Sequence, residues 1–232
     1  MAGNTVSAGD AMIAALQQDC QVLGLQASHG ELTQLHTYLQ QLQRWNQTYN
    51  LTAIRDPEAM RIQHLVDSLA VVPILDRLAQ QQGGATPFRI VDVGSGGGLP
   101  GVVLAIMRPS WQVTCVDAVA KKTTFVQQVA RVLALPNLSA CHARIERASL
   151  IPAHVVISRA FASLRDFVTL AGDHVAPGGV ILAMKGRHPG EELAELESAG
   201  LPWRVCQIVP LQVPGLAAER CVVWLERHAV PA

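Results

Sequence analysis

Leucines at positions 32, 35, 39 and 42 and a tryptophan at 45 recur at steps of three and four, the spacing of one buried helix face. An earlier segment through Met12, Leu16, Leu23 and Leu25 has similar spacing. Asp56-Pro57 reads as the N-cap and first position of a third helix, running through His64, Leu65, Leu69 and Val72. The stretch 80–87 (QQQGGATP) is a linker, and beyond it the pattern changes. Short apolar runs now alternate with helical segments: strand 88–93, helix 99–108, strand 111–117, helix 120–134, strands 138–142 and 154–159, and helix 163–175. Pro177-Gly178-Gly179 reads as a turn into strand 180–185, followed by helix 190–199. Such alternation predicts a mostly parallel, doubly wound α/β sheet. The last two apolar runs, 203–213 and 219–227, are joined too closely for a helical crossover. They are expected to form an antiparallel hairpin at one side of the sheet.

The chain has 232 residues, enough for a sheet domain at 88–228 preceded by a helical extension at 1–80 that packs on it. Half the residues are hydrophobic, yet no run approaches the length of a membrane span. The N-terminus lacks a basic start followed by an apolar core, as a secretory signal would have. The five cysteines are scattered and form no CxxC pair, which suits reduced thiols in the cytoplasm and gives no zinc site. Basic and acidic residues balance at 18 each. A polyanion-binding role would therefore need a local basic patch.

The candidate chemistry centres on RIVDVGSGGGLPG, residues 89–101, where a strand breaks into a glycine loop and a helix follows. Such a loop is expected to point backbone N–H groups and a helix N-terminus at a ligand, with Pro100 in the helix's first turn. A phosphate loop would need a lysine after the glycines, and none follows. The dinucleotide pattern GxGxxG would need glycine where Leu99 stands. The spacing is GxGxG over Gly94, Gly96 and Gly98, with Asp92 before it. Asp117 ends the second strand, where a carboxylate can accept both ribose hydroxyls of an adenosine-containing cofactor. A solvated strand-end aspartate is the plain alternative for that position. Ile145 and Glu146 follow the third strand and could meet an adenine, although a surface ion pair explains Glu146 as well. Arg159 ends the fourth strand at the sheet's active edge, suited to a carboxylate, phosphate or carbonyl and not to a cationic sulfur. A parallel sheet with a final hairpin is also the pattern of methyltransferases that use S-adenosylmethionine.

The reaction is narrowed by what is missing. Exocyclic amine methylation uses a [DN]PP[FY]-type motif after the fourth strand, where this chain has SRAF. Pyrimidine carbon methylation needs a nucleophilic thiol, commonly in a Pro-Cys pair, and the chain has no such pair. A ring nitrogen such as guanine N7 carries a free lone pair and needs positioning without a general base. His64 and Asp67 lie three apart and read as a helix-packing hydrogen bond.

Several stretches together carry a family resemblance: WNQTYNLTAIRD (45–56), HLVDSLAV (64–71), IVDVGSGGGLPG (90–101), VDAVAKK (116–122), ISRAFASL (157–164), AMKG (183–186) and LQVPGLAAER (211–220). From about Trp45 onward the chain resembles the bacterial small-subunit ribosomal RNA guanine-N7 methyltransferase family, RsmG or glucose-inhibited division protein B. The resemblance implies a class I S-adenosylmethionine-dependent methyltransferase, Rossmann-like, acting on one guanine of 16S ribosomal RNA in the small ribosomal subunit. It also implies that Gly94 and Leu99 line the donor, with Ile145 and Glu146 at its adenine end and Arg159 completing the site. No catalytic base is expected, and Arg159 is the candidate positioning group. Lys121, Lys122, Lys185 and Arg187, with Arg159, are the expected RNA contacts; a solvated strand or helix end is the alternative for each lysine. Trp45, Tyr49 and Phe161 are the aromatics available to stack on a base, and Trp45 reads equally as core. A monomer without a metal is expected. Competing readings are a nicotinamide-dependent oxidoreductase, a small-molecule methyltransferase, and a donor- or RNA-binding protein without turnover.

Overall fold

The computed structural model describes residues 7–84, 87–161 and 163–228. Two residues of the expected linker, 85 and 86, and Ala162 of the ISRAFASL stretch lie outside them. Two helices open the chain, α1 (Ala8–Val22) and α2 (His29–Tyr49). Ser28 caps α2 reciprocally: its hydroxyl accepts from Glu31 N, while the Glu31 carboxylate accepts from Ser28 N at 2.7 Å. The inward residues of α2 are Leu32, Leu35, Leu39 and Leu42, as the spacing predicts, joined by a fully buried Tyr38.

The expected third helix is a composite. Asp56 caps α3 (Pro57–Met60) by accepting from Ala59 N. A π-helical segment, Arg61–Val66, follows and runs into the single turn α4 (Asp67–Leu69). A separate helix, α5 (Val72–Gln81), then starts with Pro73 in its first turn and takes in the first residues expected of the linker. The π segment carries the polar residues Arg61 and His64 inward, with Asp67 just after it. Arg61 is paired with Asp19 of α1 and with Glu58.

The sheet has seven strands: β1 (Phe88–Val93), β2 (Trp111–Asp117), β3 (Leu138–His142), β4 (Ala153–Ser158), β5 (Val175–Lys185), β6 (Trp203–Pro210) and β7 (Cys221–Arg227). Their order is β3-β2-β1-β4-β5-β7-β6, with β7 antiparallel to both its neighbours and the other pairs parallel. The expected hairpin is therefore β6 and β7, and it is the earlier strand, β6, that lies at the edge. The turn expected at Pro177-Gly178-Gly179 is a bulge within β5, because Ala153 pairs with Val175 while Val155 pairs with Val180. Gly178 there has φ +74°, and a side chain on Gly179 would meet the Ala153 and His154 carbonyls at about 3 Å.

One sheet face is covered by α6 (Gly101–Met107) and α7 (Ala120–Val132), with α2 packed over both. Leu35, Leu39 and Leu42 of α2 share a continuous apolar core with Ile90, Val113 and Val155 of the strands. The other face carries α8 (Leu164–Ala171) and α9 (Gly190–Ser198) over Val91, Val156, Ile181 and Val223. Residues 90 and 91 facing opposite cores is the alternation a strand buried on both sides requires.

Candidate functional site

The glycine loop, residues 94–100, joins β1 to α6 at the carboxyl edge of the sheet, where ligands bind in open α/β folds. Gly94, Gly96 and Gly98 all have positive φ, at +67°, +58° and +88°. The helix starts after Pro100, one residue later than a proline in the first turn would require. Five of the loop's N–H groups turn inward, against the expectation that they point at a ligand. Gly94 and Ser95 donate to Val116 O, Gly98 and Leu99 donate to Ser95 O, and Gly96 donates to Asp117 Oδ2 at 2.9 Å. The first N–H of α6, on Gly101, goes to Asp92 Oδ2 at 2.8 Å. Tyr38 of α2 donates to Gly97 O at 2.6 Å from behind. The loop thus presents main-chain surface, fixed from inside, and offers an anion no cradle.

Two cavities meet over this loop. The larger, about 400 Å³, is walled by the glycine loop, the segment 51–54, the π segment with Asp67, Arg159, and residues 184–186, 211 and 220–221. The smaller, about 240 Å³, lies between the ends of β1, β2 and β3 and is lined by Val116, Asp117, Ile145, Glu146, Phe161 and Leu170 among others. Gly94 and Ala160 line both. A Cβ on Gly94 would stand 3.0 Å from that of Ala160, so a side chain there would close the passage between them.

The structure brings together most of the residues singled out in the sequence. Gly94, Gly96, Leu99 and Arg159 line the large cavity; Asp117, Ile145 and Glu146 line the small one. Asp117 Oδ1 accepts from Val119 N at 2.8 Å, and Lys122 Nζ stands 3.6 Å from Oδ2. A carboxylate has roughly four lone-pair directions, so Asp117 can still accept hydroxyl donors from the cavity.

Asp92 and Gly98 line neither cavity. Asp92 is fully buried beneath the loop, with Oδ1 unpartnered, and burial pushes its carboxyl up to about 7. It acts on the loop from below and does not reach a ligand. Gly98 is there for packing, since a Cβ would stand 2.4 Å from Val102 Cγ2.

Arg159 Nη1 donates to Asp67 Oδ2 at 3.0 Å and to Gln63 O at 3.3 Å. The other Asp67 oxygen accepts from Arg220 Nε at 3.0 Å. His64 does not bond Asp67, contrary to the sequence reading; its Nε2 meets Thr52 Oγ1 at 2.8 Å. The π turn separates the two side chains' partners. Burial, and then the Arg159 charge, lower His64 to about 4, so the ring is neutral.

Of the expected RNA contacts, Lys121 and Arg187 are exposed. Lys185 is half-buried and bonded to Phe161 O at 3.0 Å and Glu192 Oε2 at 2.7 Å, which makes it a strut within the protein. Phe161 stacks on Phe167, and Trp45 packs against Tyr49 and Phe125. Neither Trp45 nor Tyr49 lines a cavity described above, and Phe161 lines the small one. Sequence reasoning missed Tyr38 and Arg220 as site residues. Tyr38 looks like one more apolar helix position. Arg220 closes the LQVPGLAAER stretch but has no periodicity or spacing to mark it. Among the described residues no group of three or more His, Cys, Asp or Glu could hold a metal ion, and no helix is long and apolar enough to cross a membrane.

Residues 31–227 match the family model for rRNA small subunit methyltransferase G. The ribosomal RNA small subunit methyltransferase G of Bordetella avium is 60% identical over 212 residues, covering 91% of this chain and 92% of that protein. Its namesake from Leptothrix cholodnii is 52% identical over 90% of this chain and 93% of its own length. Among solved structures, a putative class I S-adenosylmethionine-dependent methyltransferase from Listeria monocytogenes superposes with a TM-score of 0.61 at 15% identity, covering 97% of this chain and 80% of its own. A SAM-dependent methyltransferase from Aquifex aeolicus gives 0.54 at 18% identity, over 76% and 96%. These two similarities concern the fold alone.

Proposed function

Because the chain belongs to the rRNA small subunit methyltransferase G family, we propose that it transfers a methyl group from S-adenosylmethionine to N7 of one guanine in 16S ribosomal RNA. The reading is carried by the pair of cavities that meet at Gly94 and Ala160. S-adenosylmethionine supplies a methyl group already activated on a positively charged sulfur. The residues present suit that donor. The small cavity offers Val116, Ile145 and Phe161 as apolar walls for a purine, and Asp117 at its rim for ribose hydroxyls. Gly94 lets the chain approach closely at the passage, and Arg159 in the large cavity suits a carboxylate. A pyrophosphate would find five of the loop N–H groups already used, which weighs against a nicotinamide dinucleotide.

The large cavity is the acceptor's. Its residues hold a base in line with the passage and keep water out, work worth several powers of ten in rate when the geometry is right. A neutral His64 bonded to Thr52 and an Asp67 shared by two arginines leave no evident proton acceptor among the described lining groups. Guanine N7 loses no proton on methylation, so it needs none. We take Lys121 and Arg187 as flanking phosphate contacts, a single chain as the working unit, and the cytoplasm as its place of action.

The test is methyl transfer from labelled donor to small ribosomal subunits from a strain lacking the modification, with the product nucleotide identified by mass. N7-methylguanosine at one site is expected. Tight donor binding without transfer to RNA would redirect the reading to a small-molecule acceptor or a binder without turnover.

A further inference from the structure

Arg159, Asp67 and Arg220 form a triad with two positive charges and one negative. All three line the large cavity, and the arginine side chains are only 22% and 23% exposed. The nearby cation Lys185 is already neutralised by Glu192, and His64 carries no charge. A partly buried, incompletely compensated guanidinium is costly unless an anion joins it. Arg220 uses Nε toward Asp67 and Nη1 toward Glu219 O, with Gly186 beside it: a Cβ there would lie 3.8 Å from Nη1. Both Gly186 and Arg220 line the cavity, so the guanidinium is reached from that side.

Two oxyanions could enter, the donor's carboxylate and a phosphodiester of the acceptor strand, and position separates them. Strands β1, β4, β5 and β7 lie side by side. Arg159 follows β4, the strand beside β1 and its glycine loop, whereas Arg220 precedes β7, two strands further on, although both side chains meet on the Asp67 carboxylate. On that ground the donor's carboxylate is assigned to Arg159 and the phosphodiester to Arg220.

We infer that Arg220 binds a backbone phosphate of the RNA strand whose guanine enters the large cavity, and that Asp67 is the positioning residue that holds Arg220 and Arg159 in register for acceptor and donor. The loop carrying Arg220 is braced for this. Val213 packs on Val66 and Ala70, and Gly215 fits against Ile62 where a Cβ would stand 3.0 Å away. The inference rests on the RNA-methylating function above.

The experiment compares wild type with Arg220→Gln and Arg220→Lys, measuring binding of a small-subunit ribosomal RNA fragment at several salt concentrations, donor affinity by calorimetry, and melting temperature. For Arg220→Gln, RNA affinity is expected to fall about tenfold and the salt slope by roughly 0.7 to 0.9, the signature of one lost phosphate contact. Donor affinity stays within twofold of wild type. Arg220→Lys, which keeps the charge but loses the planar fork, retains the salt slope and part of the RNA affinity. Asp67→Asn raises the KM for RNA and weakens the donor together, a joint effect that a purely structural clasp would not produce at unchanged melting temperature. An unchanged salt slope in a folded Arg220→Gln variant overturns the inference while the methylation reading stands, provided the wild type still methylates RNA. Lost donor affinity with intact RNA binding overturns it too, by giving Arg220 to the donor's carboxylate. Should Arg220→Gln not fold, the Lys variant decides alone: RNA affinity and turnover both equal to wild type would reject the phosphate fork.

Discussion

Burial moves Asp92 and His64 in opposite directions along the pH axis. Folded Asp92 keeps its proton up to about 7, whereas the unfolded carboxyl loses it near 3.8. Its contribution to stability is therefore full at low pH and lost as pH rises toward 7. Folded His64 stays neutral down to about 4, against 6.5 unfolded, so its contribution is present above 6.5 and lost as pH falls toward 4. The two slopes oppose each other between about 4 and 6.5. Asp92→Asn removes one of them, and the variant's stability is expected to rise with pH across that window more steeply than wild type, as urea unfolding at a series of pH values would read. Parallel slopes would mean the Asp92 proton has no such role. Asp117 lines the small cavity. Asp117→Ala is expected to weaken donor binding about ten- to a hundredfold, roughly 1–3 kcal/mol, because Gly96 N and Val119 N lose their acceptor along with the ribose. Donor affinity equal to wild type would remove the ribose assignment.

At the scale of elements, α2 is the strut of the glycine loop. Tyr38 holds the Gly97 carbonyl, and a Cβ on Gly97 would already press on Leu42 at 3.0 Å. Tyr38→Phe is expected to lower donor affinity about three- to tenfold, the worth of one hydrogen bond at roughly 1 kcal/mol, with little change in melting temperature. An equal loss of stability and no loss of affinity would make the bond structural only. The apolar face of α2 was plain from its leucines, and so were the strands, whose runs are bounded by glycine, proline and aspartate. The composite helix was not, because a π turn leaves no mark in the periodicity of Arg61–Val66. Pro73 starts a new helix where the sequence suggested one continuing. Pro177-Gly178-Gly179 has turn chemistry, yet close packing against the β4 carbonyls fits it into a strand as a bulge.

For the whole molecule, the positions of Gly94, Asp117 and Arg159 around the two cavities were legible because a parallel sheet brings its strand ends to one predictable edge. The far wall of the large cavity was not legible. It depends on Asp67 meeting Arg220 across 153 positions of sequence, which no local pattern encodes. Zero net charge hides a cavity whose own balance is positive. The sheet's strand order also sets a schedule for folding. β7 is made after β5 and β6, yet it sits between them and pairs with both. Until Cys221–Arg227 leave the ribosome, β5 offers its outer row of N–H and C=O groups to any passing strand, and the loop bearing Arg220 has nothing to anchor it. A chain ended just before Cys221 is expected to aggregate on expression and to bind neither donor nor RNA; a soluble, donor-binding product would contradict this. A ribosome-modifying protein built this way cannot act on RNA while its own synthesis is still in progress at that point, which separates making the tool from using it.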